Sequence, residues 1–308
     1  MYLKRKIDEY LLEWKKNEER LPLIIKGARQ IGKTESINHF AEQNYSNIVS
    51  INFVLEPKYK TILSDGYAVE DIIKNISMID TSKRFIAGDT VIIFDELQEF
   101  PDIATALKSF RIDGRFDVIC SGSLLGINYR KIHSNSVGYK TDYEMFSMDF
   151  EEFLWAKGYS EKHIEDILKH MKTRTPFSET ELSVYKKLFL EYCVLGGMPA
   201  VVKVYIEKNL FTDTLEIQRQ IQMDYEEDIR KYGLQLEPDY RAWENPIGGS
   251  DNGSFAKVGI PIIWYHTDGH PDYHQPSDHA DRLNWDKVVE ITKASFLNMW
   301  KMANEKSF

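Results

Sequence analysis

Eight consecutive residues near the start of the chain have the spacing of a loop that binds phosphate. Residues 27–34 read Gly-Ala-Arg-Gln-Ile-Gly-Lys-Thr. Glycines at the two bends let consecutive backbone N–H groups surround a polyphosphate, and the following helix points its N-terminus at the charge. Lys33 would neutralise the β- and γ-phosphates, and Thr34 would bind Mg²⁺. The alternative is a plain glycine turn. The predicted nucleotide contacts are Gly27, Ala28, Arg29, Gln30, Ile31, Gly32, Lys33 and Thr34.

Two carboxylates follow a second apolar stretch. Residues 91–96 read Val-Ile-Ile-Phe-Asp-Glu, which is typical of a central parallel strand that is buried on both faces. Such a strand delivers its last side chains to the sheet edge where ligands bind. Asp95 would bind Mg²⁺ with Thr34, and Glu96 would orient or deprotonate the attacking water. A solvated acidic turn is the alternative.

Hydroxyl groups end a third predicted strand. Residues 116–120 are largely apolar, and Ser121-Gly122-Ser123 follows them. A serine at this edge could donate a hydrogen bond to the γ-phosphate or the attacking water. A Ser/Gly turn is an equally good interpretation of either serine. The candidate catalytic residues are therefore Lys33, Glu96 and Ser121.

Alternating strands and helices must position these groups. Apolar runs predict further strands at residues 21–25 and 48–54, and helical patterns occupy residues 33–43, 68–78 and 103–110. An amphipathic helix at the start of the chain would place Ile7, Leu11, Leu12 and Trp14 inward. This order predicts the α/β class, with a parallel sheet between two layers of helices.

Length and composition bound the class of protein. The chain has 308 residues and a mass of 36.0 kDa, which allows about two domains. Its net charge of -9 gives no overall indication of nucleic-acid binding. No apolar run approaches the about 20 residues of a membrane-spanning helix, and the charged start does not read as a signal peptide. Cys120 and Cys193 indicate no disulfide framework, which favours a reducing, cytoplasmic location.

These motifs resemble those of prokaryotic AAA-type ATPases of the archaeal-ATPase kind. The matching segments are residues 24–34, 92–98, 119–123, 146–154 and 191–199, so the resemblance covers about residues 1–232. It implies a P-loop NTPase sheet with flanking helices, a helical lid, ATP binding and Mg-dependent hydrolysis.

An arginine that stabilises the transition state is not identified by this resemblance. Members of the group commonly have an arginine where this chain has Tyr139. Arg111, Arg115 and Arg130 are candidates for such a residue in cis or in trans. Each is also an ordinary candidate for a surface arginine. A residue acting in trans would require self-association.

Residues 150–232 have a helical and acidic pattern. Apolar stripes pass through Leu188, Phe189, Tyr192 and Cys193, and later through Leu215, Ile217, Ile221, Tyr225 and Ile229. Gly196-Gly197 and Pro199 are expected to separate two helices. The acidic residues Asp224, Glu226, Glu227 and Asp228 are interpreted as a solvated helix face.

The composition changes after Tyr232. Residues 248–261 and 273–278 resemble the C-terminal part of bacterial zinc aminopeptidases related to glutaminyl cyclases. The resemblance implies that His274 is a zinc ligand and that Asp251 belongs to its hydrogen-bonding shell. The group's other ligands lie upstream of this part, where this chain has the ATPase-like sequence, so zinc binding is not expected. A local cluster of His266, His270 and His274 is the alternative to unliganded loop histidines.

The predicted domains are an ATPase core at 1–157, a helical lid at 158–235 and a truncated peptidase-like α/β tail at 236–308. Three functions remain open. The favoured one is a Mg-dependent ATP hydrolase that uses ATP and Mg²⁺. The others are a zinc-dependent exopeptidase and a nucleotide-binding scaffold that hydrolyses slowly.

Overall fold

A parallel sheet forms the centre of the computed structural model, which describes residues 1–123 and 138–231. It has five strands in the order β2-β3-β4-β1-β5, and every neighbouring pair is parallel. The strands are β1 (Leu23–Gly27), β2 (Asn47–Asn52), β3 (Thr90–Asp95), β4 (Asp117–Ser123) and β5 (Thr141–Glu144). Because all the strands run in one direction, Gly27, Asp95 and Ser123 lie at the same edge of the sheet.

Helices precede, flank and follow the strands of this sheet along the chain. They are α1 (Lys6–Lys16), α2 (Lys33–Asn44), α3 (Val69–Ile79), α4 (Ile103–Asp113), α5 (Phe150–Ala156), α6 (Glu161–Thr173), α7 (Glu179–Leu195), α8 (Pro199–Lys208) and α9 (Leu215–Lys231). α3 and α4 share one core cluster with the strands, in which Phe94 and Phe110 are buried. α2 contacts β1 and β4 and packs against α1. The predicted α/β architecture with flanking helices is therefore confirmed.

The apolar patterns predicted β1 to β4 and the helices beside them, and three details differ. Leu12 was predicted to point inward but is 43% exposed, since α1 buries only the narrower stripe of Ile7, Leu11 and Trp14. β2 ends at Asn52, because the chain turns there and the side chain of Asn52 accepts hydrogen bonds from the next backbone N–H groups. The apolar patterns did not predict β5, because its residues Thr-Asp-Tyr-Glu are polar and half exposed.

The helical part follows its predicted breaks better than its predicted stripes. α7 ends at Leu195 and α8 begins at Pro199, as the Gly-Gly-x-Pro pattern indicated. Leu188 is buried, but Phe189 is 50% exposed and Cys193 is also exposed. α7 contacts its neighbours along a narrow line, so residues beside that line remain in solvent.

The predicted apolar stripe of α9 is also only partly buried. In α9, Ile221 is buried but Leu215 is exposed, and the polar Gln218 takes the inner position between them. Its amide donates hydrogen bonds to the carbonyl groups of Val194 and Leu195 at 3.0 and 3.1 Å. These carbonyls at the end of α7 have no partner within their own helix, which explains why a polar side chain is buried here.

The chain divides into two units, Met1–Met223 and Asp224–Phe308. The first unit contains everything described below, and the second is described only as far as the end of α9. The predicted tail at 236–308 and the side chains of Glu226, Glu227 and Asp228 lie outside the described residues. Within the described part, no helix combines the length and the apolar character needed to span a membrane.

Candidate functional site

The loop between β1 and α2 contains two residues in the left-handed backbone conformation. Gln30 and Gly32 have positive φ angles of 61° and 92°. α2 begins directly after Gly32, at Lys33, so its free N–H groups face the loop. Gly27 is needed for a different reason, because a Cβ atom there would lie 2.3 Å from the carbonyl oxygen of Met145. The first glycine thus admits the chain after β5, and the second permits the left-handed turn.

Lys33 is folded back over the loop. Its Nζ atom donates to the carbonyl oxygens of Gly27 and Ala28 at 3.1 and 2.5 Å. Burial lowers the pKa of Lys33, and the nearby carboxylates of Glu96 and Asp95 only partly counteract this effect. The charge is therefore held by two carbonyl dipoles that phosphate oxygens can replace.

Asp95 lies at the end of β3, where several hydrogen-bond donors converge. The side chain is only 6% exposed. Its Oδ2 atom accepts from Thr34 Oγ1 at 3.1 Å and from Asn52 Nδ2 at 3.0 Å, and Oδ1 accepts from the backbone N–H of Glu96 at 3.1 Å. The hydroxyl of Ser121 also donates to Oδ1. The structure thus brings Thr34, Asp95 and Ser121 together, with Ser121 bound to the carboxylate.

Glu96 has a left-handed backbone conformation with a φ of 59°. Its carboxylate lines a cavity and accepts a hydrogen bond from Nε2 of Gln98. The other end of the Gln98 amide accepts from the backbone N–H of Ser123 at 3.1 Å. Gln98 therefore links Glu96 to the end of β4. Ser123 also lines the cavity, and its buried hydroxyl has no partner among the residues that the structure describes.

A cavity of about 690 Å³ lies over this edge of the sheet. One wall is the loop, from Arg29 to Thr34, and the facing wall is the first part of α8, with Pro199, Ala200 and Lys203. This volume is within the range of about 300–1,000 Å³ that is typical of small-molecule sites. Lys203 also lines the cavity, and it forms no ion pair with any described residue.

Several residues of this site were not found by sequence reasoning. Asn52 ends a strand at the same edge as Asp95, so the strand-end argument could have identified it. Gln98 follows the acidic pair, and its role depends on a turn that the pattern does not show. Lys203 and Arg5 carry no local signal, because they reach the loop from α8 and from the segment before α1.

The candidate arginines do not converge on the loop. Arg115 precedes β4 and forms ion pairs with Asp113 and Glu70, which raise its pKa. It lies at the amino edge of the sheet, opposite Lys33, as does Arg111 near the end of α4. Neither can therefore act in cis in this arrangement. The Nζ atom of Lys108 lies over the ring of Tyr139, 5.0 Å from the centre of that ring. Arg130 lies outside the described residues.

The predicted zinc ligand His274 and its neighbours Asp251, His266 and His270 also lie outside the described residues. Among the side chains that the structure describes, which end at Tyr225 and exclude residues 124–137, no group of three or more His, Cys, Asp or Glu could hold a metal ion. A metal bound at Asp95 would therefore need further ligands from a bound molecule or from water.

Comparisons with known proteins agree with the two resemblances. Residues 19–154 match the family model described as an AAA domain, and residues 202–298 match that of peptidase family M28. No curated protein matches the sequence. The chain is thus similar in two segments to two different families.

Solved structures that resemble the chain have low sequence identity to it. A Thermotoga maritima RuvB variant is 13% identical, with 84% of this chain and 83% of that chain covered and a TM-score of 0.41. AMPPCP-bound DnaA from Aquifex aeolicus is 11% identical, with 83% and 78% covered and a TM-score of 0.39. C. elegans PCH-2 is 12% identical, with a TM-score of 0.37. This match covers 65% of this chain, and the chain spans only 59% of the length of PCH-2. By sequence, the chain is similar to AAA domains over residues 19–154 and to peptidase family M28 over residues 202–298.

Proposed function

We propose that this protein binds ATP and hydrolyses it in a Mg-dependent reaction at the edge of the sheet formed by the ends of β1, β3 and β4. The observation that carries the proposal is the meeting of Thr34 with Asp95, at 3.1 Å, beside a loop with a half-buried lysine. These groups come from distant parts of the sequence, and together they match the needs of a triphosphate and its cation.

The residues at Asp95 suit Mg²⁺. A carboxylate and a hydroxyl are hard oxygen donors, and Mg²⁺ is usually held by one or two such groups with phosphate oxygens and water. When bound, Mg²⁺ would neutralise charge on the phosphates. Thr34 and Asp95 would hold it, and Ser121 and Asn52 would orient Asp95.

Each remaining group has a role in this proposal. The backbone N–H groups of residues 27–34 bind the phosphates, and Lys33 exchanges its two carbonyl partners for phosphate oxygens. Glu96 orients the attacking water or takes its proton, while Gln98 holds the carboxylate in place. Ser123 lines the cavity, and its hydroxyl has no partner among the described residues, so it is better placed than Ser121 to contact the γ-phosphate or the water. Lys203 adds a positive charge from the facing wall.

Thermal denaturation of the purified chain with and without Mg-ATP tests nucleotide binding. At a ligand concentration about 100 times Kd, binding stabilises a protein by about 2.7 kcal/mol. For a domain of roughly 150–250 residues this corresponds to a rise in Tm of about 5–11 °C. Lys33→Ala should lose this rise and all turnover, whereas Glu96→Gln should keep the rise and lose turnover. A wild-type protein whose Tm does not respond to Mg-ATP would contradict the proposal.

Turnover at several protein concentrations distinguishes an enzyme from a scaffold. If an arginine of a second copy completes the site, activity per molecule rises as the chains associate. A rate that stays very low at every concentration, with normal ATP binding, would favour the scaffold.

A zinc-dependent exopeptidase is the second candidate, favoured by the match of residues 202–298 to peptidase family M28. The resemblance transfers one zinc ligand, His274, and a hydrolytic zinc site needs about three. Zinc analysis of the purified chain tests this candidate. Stoichiometric zinc that is lost in His274→Ala, with release of amino acids from peptide substrates, would support it.

A further inference from the structure

We propose that Arg5 is a positioning residue that holds the phosphate-binding loop in its binding conformation. The proposal rests on the proposed function and adds a residue that lies outside every motif of the site. Arg5 precedes α1, yet its guanidinium group contacts the back of the loop, and the residue is only 4% exposed.

The guanidinium group connects three separate segments of the chain. Nη1 donates to the carbonyl oxygen of Ile31 at 2.7 Å, and Nη2 donates to that of Phe146, between β5 and α5, at 2.8 Å. Nε lies at an ion-pair distance of 3.1 Å from Oε2 of Glu152, without the geometry of a hydrogen bond. Because the guanidinium group is planar and rigid, it fixes these partners relative to one another.

The bond to Ile31 sets the direction of the next N–H group. In a trans peptide the C=O of one residue and the N–H of the next point in opposite directions. The carbonyl of Ile31 points to Arg5, so the N–H of Gly32 points away from Arg5. Gly32 lines the cavity, and a Cβ atom on it would lie 3.4 Å from Nη1 of Arg5. Arg5 therefore supports the loop from behind while the Gly32 N–H faces the phosphate site.

Loss of Arg5 would leave this peptide without a reason to keep its orientation. Ile31 is buried, and its carbonyl would lose its charged donor. An unpaired buried carbonyl is costly, so the peptide is expected to rotate toward other donors. A rotated peptide would present an oxygen atom to the phosphate instead of an N–H group.

Glu152 makes the arrangement a buried ion pair. Its carboxylate also accepts from the backbone N–H of Lys6 at 2.7 Å and of Asp149 at 3.2 Å, so the partner of Arg5 is itself fixed. Buried ion pairs often add little net stability, because removing the charges from water offsets their attraction. A role in holding the loop accounts for the presence of this pair better than stability does.

The test compares Arg5→Met with a matched control, Arg20→Met. Arg20 also forms an arginine–carboxylate pair, with Asp117, through bonds of 2.6 and 2.9 Å. That pair lies at the start of β4, at the opposite edge of the sheet from the loop. Both variants should lower Tm. At a temperature where circular dichroism shows each variant to be folded, calorimetry with ADP and with pyrophosphate should give a Kd about tenfold or more weaker for Arg5→Met. Arg20→Met should bind like the wild type.

Two further measurements keep the proposal falsifiable. Arg5→Lys can donate to one carbonyl but not to both in fixed geometry, so its Kd should lie between those of Arg5→Met and the wild type. It also replaces Arg5→Met if that variant does not fold. Hydrogen exchange without nucleotide should be faster in residues 28–34 of the Arg5 variants but not of Arg20→Met.

The outcomes separate this proposal from the proposed function. Folded Arg5 variants that bind ADP and pyrophosphate as tightly as the wild type would overturn the role of Arg5. A wild type that binds neither ligand would contradict the proposed function, and hydrogen exchange would then still decide whether Arg5 holds the loop. If residues 28–34 exchange at the same rate in the Arg5 variants as in the wild type, the proposed role of Arg5 is wrong.

Discussion

Two of the groups that donate hydrogen bonds to the carboxylate of Asp95 cannot act as acceptors instead. We therefore expect Asp95→Asn to destabilise the protein even without nucleotide or metal. One oxygen, Oδ1, accepts from the backbone N–H of Glu96 at 3.1 Å, and the other, Oδ2, accepts from Nδ2 of Asn52 at 3.0 Å. A backbone N–H is always a donor.

The orientation of the Asn52 amide is also fixed. Its Oδ1 atom accepts from the backbone N–H groups of Val54 and Leu55 at 2.9 and 3.0 Å. Turning the amide round would break both bonds and would place its NH₂ group against two N–H donors. The NH₂ group of Asn52 must therefore face Asp95.

These contacts determine the cost of the substitution. The amide of Asp95→Asn has one oxygen and one NH₂ group, so in either orientation the NH₂ group meets a fixed donor. The hydroxyls of Thr34 and Ser121 can rotate and do not remove this conflict. Leaving a buried donor unpaired costs about 1–3 kcal/mol. For a domain of this size, Tm should fall by about 2–12 °C.

Glu96→Gln is the matched control, since it removes the same charge from the same site. The carboxylate of Glu96 accepts from Nε2 of Gln98, and a glutamine can keep this bond by presenting its oxygen. Its NH₂ group then faces the cavity, which Glu96 lines. Without nucleotide and with a chelator present, Glu96→Gln should melt close to the wild type. An Asp95→Asn variant that is as stable as Glu96→Gln would refute this account of the donors.

Three further predictions concern the loop and its facing wall. Gly197→Ala should lower the free energy of unfolding in urea by about 1–3 kcal/mol, since its Cβ would lie 2.0 Å from the carbonyl oxygen of Met148. Burial lowers the folded-state pKa of Lys33 below its usual 10.5. At pH values between the lowered pKa and 10.5, the unfolded chain therefore binds more protons than the folded chain does. Wild-type stability, compared with Lys33→Met, should therefore rise with pH up to 10.5 in urea titrations. Lys203→Met should weaken Mg-ATP binding in calorimetry by about tenfold, whereas Lys208→Met, which removes an exposed ion pair on the same helix, should not.

The sequence alone determined the residue types and spacing of the loop and the positions of the strands beside it. The spacing of Gly27, Gly32, Lys33 and Thr34 is local, because the loop and the first turn of α2 are continuous in the chain. The burial of β3 on both faces was visible as an uninterrupted apolar run that ends at Asp95. Parallel strands then bring their carboxyl ends to one edge, so the meeting of Lys33, Thr34 and Asp95 could be predicted from topology.

Only the tertiary structure decided which other residues complete the site. Arg5, Asn52 and Lys203 lie far from residues 27–34 in the sequence and reach the site from a different segment each. The contact of Ser121 with the γ-phosphate or the attacking water stays a prediction, whereas its hydrogen bond to Asp95 was not predicted and follows from the pairing of the neighbouring strands β3 and β4. Periodicity reports which face of an element is apolar, but the partner of a polar side chain depends on which segments pack together. That information arises only when the chain has folded.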